Sequence, residues 1–382
     1  MRDATRAVRA GLPPAAQGEP FRPGPVLAGP FHYAGVPDAA SAYGRYGNPT
    51  WSAFELALEE LEGGPAVLFA SGMAAVSAVL FATLPPGSVL VMPSDAYYTG
   101  RWLAERELAG RGVEIRLLPT AGGELERACL EGDALRDATL LWLETPTNPG
   151  LDVCDIPRLS EAAHRAGALV AVDNTLATAL GQRPLDLGAD FSVASDTKAM
   201  TGHSDLILGH VAAREAGALQ RLRVWRTSTG GVAGPLETWL AHRSMATLEL
   251  RLGRQCASAA RIAETLVARP DVDAVRYPGL PSDPAHERAA RQMTRFGGVV
   301  GFSLTTRARA ERFLAGLELI DEATSFGGLH SSAERRARWE GDAVPEGFVR
   351  LSVGCEDVED LLADIEVGLG AAAQELRGAT AP

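Results

Sequence analysis

Four absences frame this sequence. Cysteine is scarce: Cys129, Cys154, Cys256 and Cys355 lie far apart and form no Cys-x-x-Cys pair, which speaks against a zinc centre or a thioredoxin-type site. Four reduced thiols in a cytoplasmic chain is the simpler reading. Long apolar runs are missing too. The longest, near Ala74 to Leu84, is too short to span a bilayer. The N-terminus has three arginines but no apolar segment behind them, so it does not read as a secretory signal. Positive charge is in deficit: the formal net charge is -12. A nucleic-acid or anionic-membrane partner needs a basic face and is not expected, although a local basic pocket for a phosphate is still allowed. Internal repeats and low-complexity segments are also absent.

What remains is a chain of 382 residues, 46% hydrophobic, long enough for two or three domains and a sizeable core. The stretch to about Pro49 holds many Pro and Gly residues with little periodicity and reads as an extended arm, residues 1–49. From Trp51, apolar Phe54, Leu58 and Leu61 take helical spacing, and Gly63-Gly64-Pro65 ends that helix. Short apolar runs then recur at Ala66–Ala70, Ser88–Pro93, Val113–Pro119, Thr139–Glu144, Ala168–Asn174, Phe191–Ser195 and Leu206–Ala213. Continuous apolar strands alternating with helices predict a seven-stranded, mostly parallel sheet covered on both faces, an α/β domain over residues 50–235. Beyond Pro235 the pattern predicts one long helix, Leu236 to roughly Ala268, strands near Gly298–Leu304 and Val349–Val353, and a closing helix, Val358–Leu369. That is a smaller α+β domain, residues 236–382.

In such a sheet ligands bind beyond the carboxyl ends of the strands, so those ends carry the functional signal. The first strand runs into Ser71-Gly72-Met73 and a helix. Unpaired N–H groups at a helix start suit a phosphate, and a plain serine N-cap explains the tripeptide equally well. The fourth ends in Glu144-Thr145-Pro146-Thr147-Asn148-Pro149, a loop that two prolines stiffen; Asn148 can bond a ligand there, or the loop is simply a rigid turn. The fifth ends in Asp173, costly on an apolar strand without a partner. A protonated pyridine nitrogen would be one; a helix cap is the plain alternative and a metal the weakest. The sixth ends in Ser195-Asp196-Thr197-Lys198. Lys198 is either a snorkelling surface lysine or an amine of depressed pKa able to form an imine. His203 reads as structural.

Together with Thr5–Val8, Tyr43–Thr50, Ser71–Ala75, Gly202–Asp205 and Arg350–Gly354, these segments resemble the Cys/Met-metabolism PLP (pyridoxal 5′-phosphate) enzymes: cystathionine γ-synthase, cystathionine γ- and β-lyase, and methionine γ-lyase. The resemblance covers nearly the whole chain. It implies an aspartate-aminotransferase-type fold. It implies that Lys198 holds PLP as a Schiff base and carries protons, that Asp173 partners the pyridine nitrogen, and that Tyr97 stacks on the ring. Ser71, Gly72, Met73, Ser195 and Thr197 become cofactor ligands near the phosphate. Tyr43 and Arg45 become phosphate ligands lent to a neighbouring subunit in a homotetramer. Asn148, Ser325 and Arg350 become anchors for an amino-acid substrate.

Some positions depart from the family pattern. Tyr98-Thr99 replaces the usual Gly-Gly or Gly-Cys, which argues against a typical methionine γ-lyase. Asp196 and Ala199 flank the lysine where Ala and Tyr are common. Thr324 and His330 stand where many relatives carry Glu, in what the resemblance makes the substrate region. The run from Ser325 through His330 to Trp339 most resembles actinobacterial cystathionine γ-lyases. The expected reaction is therefore α,γ-elimination on a sulfur amino acid, with γ-replacement and methionine γ-lyase activity as rivals, and a non-catalytic α/β scaffold as the reading from another class.

Overall fold

A computed structural model describes residues 1–35 and 42–374. Parts of the expected arm and C-terminal unit, residues 36–41 and 375–382, lie outside the described residues.

The seven apolar runs form one sheet. Its strands are β1 (Ala66–Phe69), β2 (Val89–Pro93), β3 (Glu114–Leu118), β4 (Leu140–Glu144), β5 (Leu169–Asp173), β6 (Phe191–Ala194) and β7 (Gly209–Ala213), in the order β1-β7-β6-β5-β4-β2-β3. β7 runs antiparallel to both β1 and β6, and the remaining pairs are parallel. Both faces are buried. Phe69, Leu90, Trp142 and Phe191 pack in one core. The alternate residues Val91, Leu141, Leu143 and Val172 pack in another on the opposite face. That is why these strands read as unbroken apolar runs rather than as alternation.

Local signals account for the helices that open the site. Helix Pro49–Glu62 begins at Asn48, whose side chain accepts from Thr50 N–H at 2.8 Å, and stops at Gly63, whose φ of 80° is left-handed. Helix Gly72–Thr83 is capped by Ser71, which accepts from Ala74 N–H at 3.0 Å. The turn before this helix lies directly on β7. A Cβ on Gly209 would stand 2.6 Å from both Gly72 Cα and Ser71 O.

A second sheet holds β8 (Ala274–Arg276), β9 (Val299–Ser303), β10 (Asp321–Glu322), β11 (Ser332–Arg335) and β12 (Phe348–Ser352), in the order β10-β11-β12-β9-β8. Expectation covered only β9 and β12 here. β8 and β10 are two or three residues long, and β11 buries Glu334 on one face and Arg335 on the other through ion pairs, so two of its buried positions are charged and hydrophobic patterning misses it. The long helix is two, Pro235–Met245 and Leu248–Val267, broken at Ala246-Thr247. The arm is not wholly extended, for it opens with helix Asp3–Arg9.

The Gly209 contact is with backbone, which cannot rotate away. Gly209→Ala should therefore destabilise the chain by about 1–3 kcal/mol, read as a lower midpoint in denaturant unfolding. An unchanged midpoint would show that the turn has room to move.

Candidate active site

A cavity of about 450 Å³ opens where the carboxyl ends of β4, β5 and β6 face the second sheet. Strand ends supply Glu144 and Asp173, the turn after β6 supplies Ser195, Thr197 and Lys198, and the helix start supplies Ser71, Gly72 and Met73. Tyr97 and Asn148 come from neighbouring loops, and the second-sheet side adds Ser325 and Arg350. Eleven of the thirteen residues singled out from the sequence thus meet at one cavity.

The other two do not. Arg45 donates to Thr227 O at 3.1 Å and lies over the Tyr43 and Tyr46 rings, and neither Arg45 nor Tyr43 lines the cavity of its own chain. His330 is exposed and also stays out of the cavity, contrary to its expected place in the substrate region, whereas Thr324 does line it. Two hydroxyls already have partners within the chain. Ser71 is the N-cap, as its plain reading had it, and Thr197 Oγ1 donates to Leu208 O and accepts from Leu208 N–H, both at 3.1 Å.

Lys198 is the only lysine among the 36 lysines and arginines. That count was available in the sequence and alone marks the residue, because an amine kept in a chain otherwise built with arginine is hard to read as a surface charge. Its Nζ donates to Ser325 Oγ at 2.7 Å. Burial, and then the positive charge of Arg350, bring its pKa down to about 8. Ser325 holds φ at 80°, a left-handed value for a residue with a side chain, and such strain is retained where the surroundings over-determine it.

Glu144 is a functional candidate that the strand-end argument skipped, though the logic applied to Asp173 reaches it equally. The two carboxylates sit side by side in register on β4 and β5. Burial and the Asp173 charge push Glu144 well above the usual carboxylate range, and burial raises Asp173 as well. Glu144 accepts from Tyr97 N–H and Asn148 N–H, both at 2.7 Å, and so sets both loops. Asp173 accepts from Thr175 N–H at 3.0 Å and still faces the cavity.

Arg350 is 3% exposed. It donates to Asn148 Oδ1 at 2.6 Å, Ser325 O at 2.8 Å and Glu334 Oε1 at 2.6 Å, while its buried Nε has no partner among the described residues. Behind the turn bearing Lys198, buried His210 bridges Asp196 at 2.7 Å and Glu62 at 3.1 Å. Against the opposing effect of burial, these carboxylates raise His210 to about 10, so it is an imidazolium.

These residues fit PLP. Two buried carboxyls raised by their surroundings call for a cation such as a protonated ring nitrogen. Gly72 lies so close to Ser195 that a Cβ would meet it at 2.6 Å, which leaves backbone N–H groups at a helix start for a phosphate. The single amine stands in the same cavity.

In cofactor-free protein labelled with ¹⁵N-lysine, one Nζ signal should titrate with a midpoint of about 8. Arg350→Met removes a neighbouring cation, eases protonation of Lys198 and should move the midpoint up. A wild-type midpoint at the ordinary lysine value would contradict the burial described here.

The model of the family described as Cys/Met metabolism PLP-dependent enzyme matches residues 32–370. A Streptomyces coelicolor protein named "Putative cystathionine gamma-lyase" is 56% identical over 368 residues, 95% of this chain and 92% of that one. An L-methionine gamma-lyase of Pseudomonas putida is 35% identical over 397 residues, covering 97% and 98% of the two chains. The crystal structure of cystathionine gamma synthase from Xanthomonas oryzae pv. oryzae in complex with cystathionine superposes with a TM-score of 0.92 at 35% identity, over 98% of this chain and 99% of that one. The fold is that of the PLP-dependent transferases, the cofactor is pyridoxal 5′-phosphate, and the chain belongs to the Cys/Met-metabolism family of PLP-dependent enzymes.

Proposed function

We propose that this enzyme catalyses α,γ-elimination on a sulfur amino acid in the manner of a cystathionine γ-lyase, taking cystathionine and water to cysteine, 2-oxobutanoate and ammonia. The observation that carries the reading is one cavity holding a single amine of lowered pKa beside an arginine–asparagine pair. The 56% identity to the Streptomyces coelicolor protein supports it.

When bound, the cofactor withdraws electrons from the substrate α-carbon. The chain does the rest. Arg350, with Asn148, receives the α-carboxylate, for a planar fork of donors matches two carboxylate oxygens. Asp173 would hold the pyridine nitrogen of the bound cofactor protonated. Lys198 Nζ takes the α-proton, and with its pKa of about 8 a fraction of it is free base near neutrality. Ser325 Oγ, 2.7 Å away, fixes the direction of that amine. A β-proton is then taken up by base within the cavity, the γ carbon–sulfur bond breaks, and a proton returned to the sulfur lets it depart as a thiol. Glu144 keeps Tyr97 and Asn148 in place throughout.

Tyr43 and Arg45 belong to a different copy in this reading. Tyr43 is 44% exposed on an arm away from its own cavity, which favours a homotetramer whose arms complete neighbouring sites. The arm (1–49), the cofactor-binding unit (50–235) and the C-terminal unit (236–382) are its proposed divisions, and the cytoplasm its proposed location.

Lys198→Ala should abolish 2-oxobutanoate release, and Asp173→Asn should fold yet lose at least about two orders of magnitude in kcat. Near-wild-type turnover in Asp173→Asn would remove Asp173 from the mechanism. Arm exchange is read by refolding Arg45→Ala with Lys198→Ala. Activity should return in the mixture alone, and verified mixed oligomers without activity would put Arg45 in its own subunit's site.

A further inference from the structure

A second cavity, of about 250 Å³, lies apart from the active site and shares no lining residue with it. Three segments enclose it: the loop after β3, the stretch that follows the Asn148 loop, and the start of helix His286–Gln292. Thr120, Glu126, Asp152 and Arg288 are its polar lining, over an apolar floor of Leu125 and Ala285.

The ionic groups here are only half engaged. Asp152 accepts from Arg276 at 3.0 Å through Oδ1, and its Oδ2 has no hydrogen bond among the described residues. Burial raises the Asp152 carboxyl above its ordinary value against the pull of Arg276, so a further cation beside it is stabilising. Arg288 donates through Nε to Glu126 at 2.8 Å, and its two Nη groups have no acceptor among the described residues. Thr120 is 7% exposed, and apart from the weak Cys154 thiol its hydroxyl has no hydrogen-bond partner among the described residues. One carboxylate oxygen, one guanidinium edge and one hydroxyl above a small apolar floor match a small zwitterion. An α-ammonium goes to Asp152, an α-carboxylate to the Nη edge of Arg288, and a short side chain to the floor and Thr120.

Two of these residues lead to the active site. The N–H groups of Thr120 and Ala121 donate to Asp95, both at 2.9 Å, and Asp95 stands two residues before Tyr97. Asp152 N–H donates to Thr147 Oγ1 at 3.0 Å and Thr147 N–H to Asp152 O at 2.9 Å, directly before Asn148. Glu144 holds these two loops at the active site, and the walls of the second cavity hold them on their far side.

We propose that this cavity is a second binding site, for a small α-amino acid, whose occupancy steadies the Tyr97 and Asn148 loops. The site goes beyond the elimination reading and does not depend on it. Cysteine, which the proposed reaction releases, belongs to the class, and so do alanine and serine.

The test uses assembled holoenzyme reduced with borohydride, in which the cofactor is fixed to the protein and cannot pass to an added amine. L-Serine, L-alanine and L-cysteine are titrated by calorimetry, and one should bind per chain. Arg288→Met and Asp152→Asn should each weaken binding by about ten- to a hundred-fold, whereas Arg350→Met in the active site leaves it unchanged. L-Serinamide, which lacks the carboxylate, should bind wild type as weakly as L-serine binds Arg288→Met, and lose nothing further in that variant. Saturating L-serine should slow amide hydrogen exchange in the peptides carrying Tyr97 and Asn148. Arg288 is 33% exposed, so its variant keeps the test alive if Asp152→Asn does not fold. Tighter binding of L-cysteine supports a reaction product as the occupant, and equal binding of all three supports a general amino-acid site. Failure of all three to bind, as when a neighbouring copy covers the cavity, overturns the proposal. So does binding that Arg350→Met abolishes and Arg288→Met spares, or binding that protects neither loop.

Discussion

The hydrogen bond from Lys198 Nζ to Ser325 Oγ, 2.7 Å long, joins the two sheets into one site. Lys198 ends a turn on the large sheet, and Ser325 lies in the loop between β10 and β11 of the second. Neither sheet alone makes a cavity around the amine. Their meeting withdraws it from water and sets Arg350 near it, and these two effects lower its pKa. An amine at the same place on an open strand end would remain a solvated ammonium. The chemistry proposed here follows from that juxtaposition, because proton transfer near neutrality needs an amine partly free of its proton.

Two buried charge clusters hold this arrangement. On the second sheet, Glu334 gathers Arg336, Arg338 and Arg350. Buried ion pairs are poor sources of net stability, but removing one partner is costly because it leaves the others uncompensated. Here Arg350 is fixed on the Glu334 side while Asn148 and the cavity take its other edge. On the large sheet, the Glu62–His210–Asp196 chain backs the Ser195–Lys198 turn. Both clusters impose geometry on residues that face the cavity: Glu334 on Arg350, and Glu62 with His210 on the turn that carries Lys198.

Much of this was legible in the sequence because buried parallel strands advertise themselves. All seven strands of the large sheet coincide with apolar runs to within a few residues, and their carboxyl ends direct attention to Asp173 and Lys198. The resemblance to a family added Ser325 and Arg350, which no strand-end argument reaches. What was missed has a common cause. β11 buries Glu334 on one face and Arg335 on the other, so polar residues do the work of apolar ones. Glu144 was passed over because its loop looked merely rigid, although it follows an apolar strand just as Asp173 does. Trp339 and Tyr98 are far apart in the chain, and the docking of Gly341 on Tyr98 and Arg101 brings their segments to one cavity. His330 shows the opposite error: a position notable by comparison with relatives turns outward in this fold.

The most direct test of the account uses the single lysine. Borohydride reduction of the holoenzyme fixes any imine between cofactor and protein, and only Lys198 and the N-terminal amine can form one. Peptide mass mapping should place the reduced cofactor wholly on the peptide containing Lys198. Cofactor found on the N-terminal peptide, or bound protein that yields no covalent label, would contradict the site.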